Sequence, residues 1–297
     1  MGGKIMVGLS ASRFRVLYLA GFLWNALILP EAAAEVVVLE VSPGIMATAE
    51  FQQGEADSPV ILILHGFLQT REFPTVVALG ESLAESGMTV LRPTLSLGIN
   101  RRDKSQACEA IHVHSMEMDT REVAAWVEWL HQRTGRNVTL VGHSTGSTQL
   151  LSYLSTAQVP PVDSAILVSL SYFGPGRAAN ESPEHAALAG KRLSRGALGP
   201  AEYGLAFCPS YVTPPAEYLS YYGWDKQRTL VSLEGLSIDT TVIIGEADQR
   251  IDTGWIGILR ERGVKLVSVE GANHFFVQQH EFDLLDLIER ILSQGEG

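Results

Sequence analysis

Val60-Ile61-Leu62-Ile63-Leu64 is apolar at every position. A half-exposed strand alternates apolar and polar residues. A run without alternation predicts a strand covered on both faces, as in a parallel sheet sandwiched between helices. Val36–Val41 is a β-branched run and a further strand candidate, and runs similar to Val60–Leu64 recur at Met88–Leu91, Val138–Val141, Ala165–Leu170, Thr241–Ile244 and Lys265–Val269. Helical patterns fall between several of them. The clearest sets Val123, Trp126, Val127 and Leu130 at i, i+3, i+4 and i+7 behind Asp119-Thr120-Arg121-Glu122, which reads as an N-cap with its reciprocal acid; Gly135 supplies the stop. A last helix carries Leu284, Ile288, Ile291 and Leu292 on one face. Strand and helix in alternation predict an open, mostly parallel α/β sheet with helices on both faces.

Composition narrows the classes further. At 46% hydrophobic and 19% charged, a chain of 297 residues buries enough surface to fold, and two cysteines are too few for a disulfide scaffold. A formal net charge of −11 argues against a nucleic-acid partner. At the amino terminus, Lys4, Arg13 and Arg15 precede the apolar stretch Val16–Leu29, followed by Ala32-Ala33-Ala34. That order predicts a signal peptide over residues 1–34, cut near Ala34, and a periplasmic or secreted mature chain without a stable membrane anchor. The alternative is an N-terminal anchor. A span needs about 20 apolar residues, and Val16–Leu29 is shorter and interrupted by Asn25.

From Ser171 to Ser237 the strand–helix rhythm stops. Glycines and prolines punctuate the stretch, among them Gly174, Pro175, Gly176, Pro183, Pro209, Pro214 and Pro215; Tyr203, Tyr211, Tyr218, Tyr221, Tyr222 and Trp224 fall there, and no clean strand is evident. The expectation is a partly helical cap over 171–237, inserted into a core made of 35–170 and 238–297. Most of its aromatic residues are expected to hold the insert together, with Tyr222 and Trp224 lining a pocket. His114, in the loop after Leu97-Gly98-Ile99-Asn100, is a further candidate for that lining. His112 and His114 lack a clear third ligand and fall short of a metal site. Cys108 and Cys208 leave two readings open, a disulfide after export or two buried thiols.

Gly142-His143-Ser144-Thr145-Gly146 fits G-x-S-x-G at the end of the run Val138–Val141 and the start of a helical pattern. A strand turning directly into a helix holds the serine in a strained backbone, with its hydroxyl projecting above the sheet. Gly142 and Gly146 avoid β-carbons that would collide there, and the helix points free N–H groups at a developing oxyanion. Serine needs a base oriented by an acid. His143 is adjacent and on such a turn points elsewhere, whereas His274 follows the last strand, at the edge where ligands meet such sheets. For the acid, Asp248 leads, with Glu246 and Asp252 behind it. His65-Gly66-Phe67 follows Val60–Leu64, and a turn there can present the Phe67 amide beside that of Thr145 as an oxyanion hole. His65 is expected to pack beneath that turn rather than enter the chemistry.

His65-Gly66, Gly142–Gly146, Asp248 and His274, in that order and on those elements, resemble the α/β-hydrolase superfamily. The resemblance implies an eight-stranded, mostly parallel sheet, a Ser-Asp-His triad of Ser144, Asp248 and His274, and a cap inserted after the sixth strand. Arg92-Pro93-Thr94 and Ser147 depart from the patterns of the best-described lipase and C–C hydrolase branches, so no narrower family follows. Relatives that open epoxides or displace halide place Asp where Ser144 stands. The expected function is an exported serine hydrolase that cleaves a small carboxylic ester through an acyl-enzyme, with no cofactor or metal. Acyl transfer or thioester cleavage by the same triad is one alternative, and a catalytically silent binding protein on the same scaffold is another.

Overall fold

The computed structural model describes residues 1–3, 33–156, 161–174, 180–252 and 254–294. The expected signal peptide therefore lies almost wholly outside the described residues. Among those residues no helix is long and apolar enough to cross a membrane.

The chain begins with an antiparallel pair, β1 (Glu35–Ser42) and β2 (Ile45–Gln52), then follows strand–helix alternation: β3 (Val60–Leu64), α1 (Pro74–Glu85), β4 (Thr89–Thr94), α2 (Met116–Thr134), β5 (Val138–His143), α3 (Thr145–Thr156) and β6 (Val162–Val168). A long connection follows, holding α4 (Pro183–Ser194), β7 (Ala201–Leu205), β8 (Cys208–Thr213), α5 (Pro215–Tyr222) and α6 (Lys226–Glu234). The core resumes with β9 (Asp239–Gly245), α7 (Trp255–Glu261), β10 (Leu266–Val269) and α8 (Gln279–Gln294). Eight strands form one sheet in the order β1-β2-β4-β3-β5-β6-β9-β10. Only β2 runs against its neighbours; the pairings from β4 to β10 are all parallel.

Alternation along each central strand divides the core. Ile61 and Ile63 join Val141, Ile166 and Ile243 under α1 and α8, while Leu62 and Leu64 join Leu140, Leu167 and Val242 against α2 and α3. Each such side chain is worth about 1.5–3 kcal/mol on burial, which is why all five positions of β3 are apolar and none is exposed. The chain leaves β3 for β4 on one side and returns to β5 on the other. The loops after β3 and β5 therefore meet at a point where the strand order reverses, the place such sheets leave open for a ligand.

Three sequence expectations need correction. The second helix starts before Asp119: Ser115 is its N-cap, its side chain accepting from the Met118 amide, and Asp119 and Glu122 are buried inside the helix. Gly135 does end it, in the left-handed region at φ 68°. β2 was not anticipated because its buried face is Ala47, Ala49 and Phe51, mostly alanine rather than β-branched. The 171–237 stretch does hold strands. β7 and β8 form a two-stranded sheet of their own, closing on each other where Leu205 pairs with Cys208 around the tip Ala206-Phe207. A disulfide between Cys108 and Cys208 ties this hairpin to the loop before α2.

Candidate active site

One residue, Ser144, separates β5 from α3. Its φ is 58°, a left-handed conformation that costs a non-glycine residue about 1–2 kcal/mol. The surroundings hold it there. The Ser144 amide donates to Val168 O at 2.9 Å, and the Ser147 hydroxyl donates to Gly142 O at 2.8 Å and Val168 O at 2.9 Å. The flanking glycines are steric requirements: a β-carbon on Gly142 would lie 2.7 Å from Ser147 Cα, and one on Gly146 would lie 2.5 Å from His65 O.

The ends of β9 and β10 bring the other two predicted groups to this turn. His274 Nε2 lies 2.8 Å from Ser144 Oγ, and His274 Nδ1 lies 2.7 Å from Asp248 Oδ2. A carboxylate can only accept, so Nδ1 carries the proton and Nε2 is left to accept from the serine. The Asp248 side chain is fully buried, and its other oxygen accepts from the Arg250 amide at 2.8 Å. Glu246 and Asp252 are engaged elsewhere, with Ser268 and with Lys226. His143 does point away from Ser144, yet it has a task. Its Nε2 donates to His274 O at 2.9 Å, beside a 2.8 Å bond from Ser169 Oγ to the same carbonyl. Burial, and then the nearby His274, push its pKa down to about 3, so it serves as a neutral donor.

His65 packs beneath the turn after β3. Its Nε2 accepts from the Leu95 amide at 3.1 Å, which places the proton on Nδ1, 2.8 Å from Gly66 O. Burial, followed by the charge of Arg102, lowers its pKa to about 3. Arg102, buried itself, donates to Leu95 O and Gln69 O, each at 2.6 Å, and so clamps the far side of the same turn. Gly66 lies against the serine, its absent β-carbon falling 3.4 Å from Ser144 Cβ. The Phe67 and Thr145 residues border one pocket with Ser144, and neither backbone amide has a partner among the described residues.

That pocket has an empty volume of about 550 Å³. Phe67, Phe73, Phe207 and Phe275 form its apolar walls, and Gln69 and Arg250 are polar groups on its lining. The three residues expected to line it do not. His114 is sealed in a polar cluster with Tyr211, Tyr221 and Asp119, because the loop before α2 is covered by the β7–β8 hairpin. Tyr222 stacks on Tyr218 at 5.7 Å, and Trp224 is buried under Arg228, 4.2 Å from its ring. Phe275 and Arg250, the residues that do line it, stand one and two positions from predicted site residues, a signal that proximity alone could have exposed. Phe207 reaches the pocket only through the hairpin, and no local pattern marks it.

The family model described as the alpha/beta hydrolase fold matches residues 59–192. No curated protein sequence matches the chain. Among solved structures, Est1E from Butyrivibrio proteoclasticus is 14% identical with a TM-score of 0.63, covering 88% of this chain and 98% of its own. The alpha/beta hydrolase GrgF from Penicillium sp. sh18 is 14% identical with a TM-score of 0.67, over 89% and 98%. The thioesterase domain from the curacin biosynthetic pathway is 18% identical with a TM-score of 0.54, over 86% and 99%. The fold is the same in each, and with a sheet whose strand order reverses beside a serine on a strand-to-helix turn, the chain has the α/β-hydrolase fold.

Proposed function

We propose that the protein is an exported serine hydrolase that cleaves a carboxylic ester. The observation carrying this reading is the unbroken line of hydrogen bonds from Asp248 through His274 to Ser144, opening on a pocket bordered by two unpartnered amides. Ser144 Oγ attacks the ester carbonyl while its proton passes to His274 Nε2. Asp248 keeps the imidazole in the required tautomer and balances the imidazolium. The Phe67 and Thr145 amides donate to the tetrahedral oxyanion, a contribution of roughly 2.7–4 kcal/mol per donor in comparable sites. Collapse breaks the bond to the alcohol oxygen, which takes the proton from His274. Water then repeats the sequence on the acyl-enzyme and releases the acid. These steps call on no cofactor or metal. Nor do they call on nucleic acid or any partner beyond the ester.

Residues 171–237 act as the cap in this reading, with Phe207 at the hairpin tip closing one side of the pocket. Export is supported by the order Lys4, Arg13, Arg15, Val16–Leu29, Ala34, and by a disulfide, a bond that persists in oxidising compartments. The same line of residues serves a thioester equally well, and the curacin domain, whose description names it a thioesterase, shares the fold. Fluorophosphonate labelling of the mature chain, with Ser144→Ala beside it, tests the nucleophile. Labelling of the parent alone, with turnover of short nitrophenyl esters, is expected; equal labelling of both proteins rejects Ser144. Matched ester and thioester panels then rank the two substrate classes.

A further inference from the structure

The apolar wall of the pocket at Ser144 is made of rings. Four of the ten phenylalanines in the chain line it, and the imidazoles of His143 and His274 stand beside them. Leucine, isoleucine and valine dominate both halves of the core, yet none of them lines this pocket among the described residues, where Ala206 is the only aliphatic side chain. The phenylalanines fall into two pairs. Phe67 and Phe207 meet edge to face on the hairpin side, 5.9 Å apart with 82° between their planes. Phe73 and Phe275 lie 5.5 Å apart on the side of the imidazoles, Phe73 stacking on His143 at 5.8 Å and Phe275 meeting His274 edge to face at 5.1 Å. Arg250 lies over Phe275 at 4.8 Å and over Phe207 at 5.8 Å, and so ties the two pairs together.

Such walls hold an alkyl chain through buried area alone. A flat ring gains more, because the positive rim of one ring meets the negative face of the next in edge-to-face and offset contacts. Resting on the ester-hydrolase reading of Ser144, we infer that the substrate is an ester carrying an aromatic ring in its acyl or alcohol part, and that Phe207 selects it. Phe207 is 42% exposed, against 4% for Phe67, which is wedged among Phe173, Tyr211 and Tyr221. Of that pair, the ring with surface left to give a ligand is the one the hairpin tip supplies. Its neighbour Cys208 is bonded to Cys108, which pins the tip to the loop before α2. Phe207 acts on specificity and takes no part in proton transfer.

The test compares matched esters that differ only in aromaticity, followed by acid release at constant pH so that no nitrophenyl ring intervenes. On the acyl side, methyl phenylpropanoate is set against methyl cyclohexylpropanoate; on the alcohol side, benzyl acetate is set against cyclohexylmethyl acetate. Each rate is divided by that of alkaline hydrolysis of the same ester. Cyclohexyl is larger and more apolar than phenyl, so burial alone favours it, and only recognition of the ring reverses the order. The mature protein should prefer the aromatic member of at least one pair by about fivefold in kcat/KM, the scale of one ring–ring contact. Phe207→Leu, which keeps the bulk and removes the ring, should lower that ratio by about twofold or more, whatever it does to the absolute rates. Phe207→Tyr should retain it. Ser144 labelling and ester turnover without an aromatic preference in either pair, or a ratio unmoved in Phe207→Leu, overturn this assignment and leave the hydrolase standing. No labelling and no turnover of any ester overturn both.

Discussion

Two buried acid–imidazole–hydroxyl lines run through this molecule: the first ends on the pocket at Ser144, while the second, whose His114 and Asp119 border a separate cavity, ends on tyrosine hydroxyls that do not line it. In the first, Asp248, His274 and Ser144 are joined at 2.7 and 2.8 Å. In the second, His114 Nδ1 faces Asp119 at 3.3 Å and Tyr221 OH at 2.6 Å, and its Nε2 accepts from Tyr211 OH at 3.2 Å. Tyr221 in turn donates to Asp119, as does Gln149 from α3. Both imidazoles carry their proton on Nδ1 and offer Nε2 to a hydroxyl. The difference lies around the hydroxyl. Tyr211 is fully buried, stacked on His112 at 4.3 Å and packed on Phe67. Ser144 stands on a strained turn at the edge of a pocket, with two amides nearby. The order acid, base, hydroxyl is thus insufficient to make a nucleophile; access and a place for the developing charge decide. The second line instead joins the 171–237 stretch to α2 and α3, directly behind the Phe67 turn.

The largest effect that separates the two lines is expected from the acids. Asp248→Asn should lower kcat/KM roughly a thousandfold or more, because the wrong tautomer of His274 is then favoured, while thermal unfolding shifts little. Asp119→Ala should behave in the opposite way. It strips the acceptor from Tyr221, Gln149 and His114 in a sealed site, at a cost of about 3 kcal/mol or more. Calorimetry should show the lower Tm, and the fluorophosphonate labelling rate at 25 °C should change by less than severalfold. Loss of labelling in Asp119→Ala out of proportion to unfolding would show that the second line acts on the chemistry after all.

A smaller effect is carried by pH. His65 and His143 have folded pKa values lowered to about 3, and His112 to about 4, from an ordinary 6.5. Between those values the unfolded chain binds protons that the folded chain refuses, so stability falls as pH drops, by about 1.4 kcal/mol per unit for each histidine at most. Glu122 opposes this. Burial raises it from 4.5 to about 7, so its contribution is full below 4.5 and is lost as pH rises through 7. Glu122 offsets one of the three histidines between pH 6.5 and 4.5, so Tm should decline throughout the range from pH 6.5 to 3.5, fastest between 4.5 and 4, and His65→Asn should make the decline shallower. A Tm that stays level down to pH 3.5 would count against neutral buried imidazoles on either side of the molecule.

Much of the core was legible because its rules are local. Val60–Leu64 and Val138–Val141 announce buried strands by lacking polar residues, and Gly142–Gly146 announces its turn because any β-carbon at either glycine would collide. Asp248 and His274 followed from their positions after strands. What stayed hidden depends on contacts between distant segments. Nothing near His114 says that Tyr211 and Tyr221, 97 and 107 positions later, will seal it from the pocket. The same holds for Phe207, which lines the pocket by way of a hairpin whose glycine and proline, Gly204 and Pro209, disguise both strands. Asp119, polar and at the head of an apolar pattern, looked like a cap because a buried carboxylate with three partners leaves no mark in sequence.

The Cys108–Cys208 bond spans 100 positions of chain, and Ser144 lies inside that span. A single peptide cleavage anywhere between the two cysteines therefore leaves one covalent molecule, with Ser144 tethered from both directions. On a denaturing gel such a nicked chain would run as intact until a thiol reagent was added, and only then separate into two pieces.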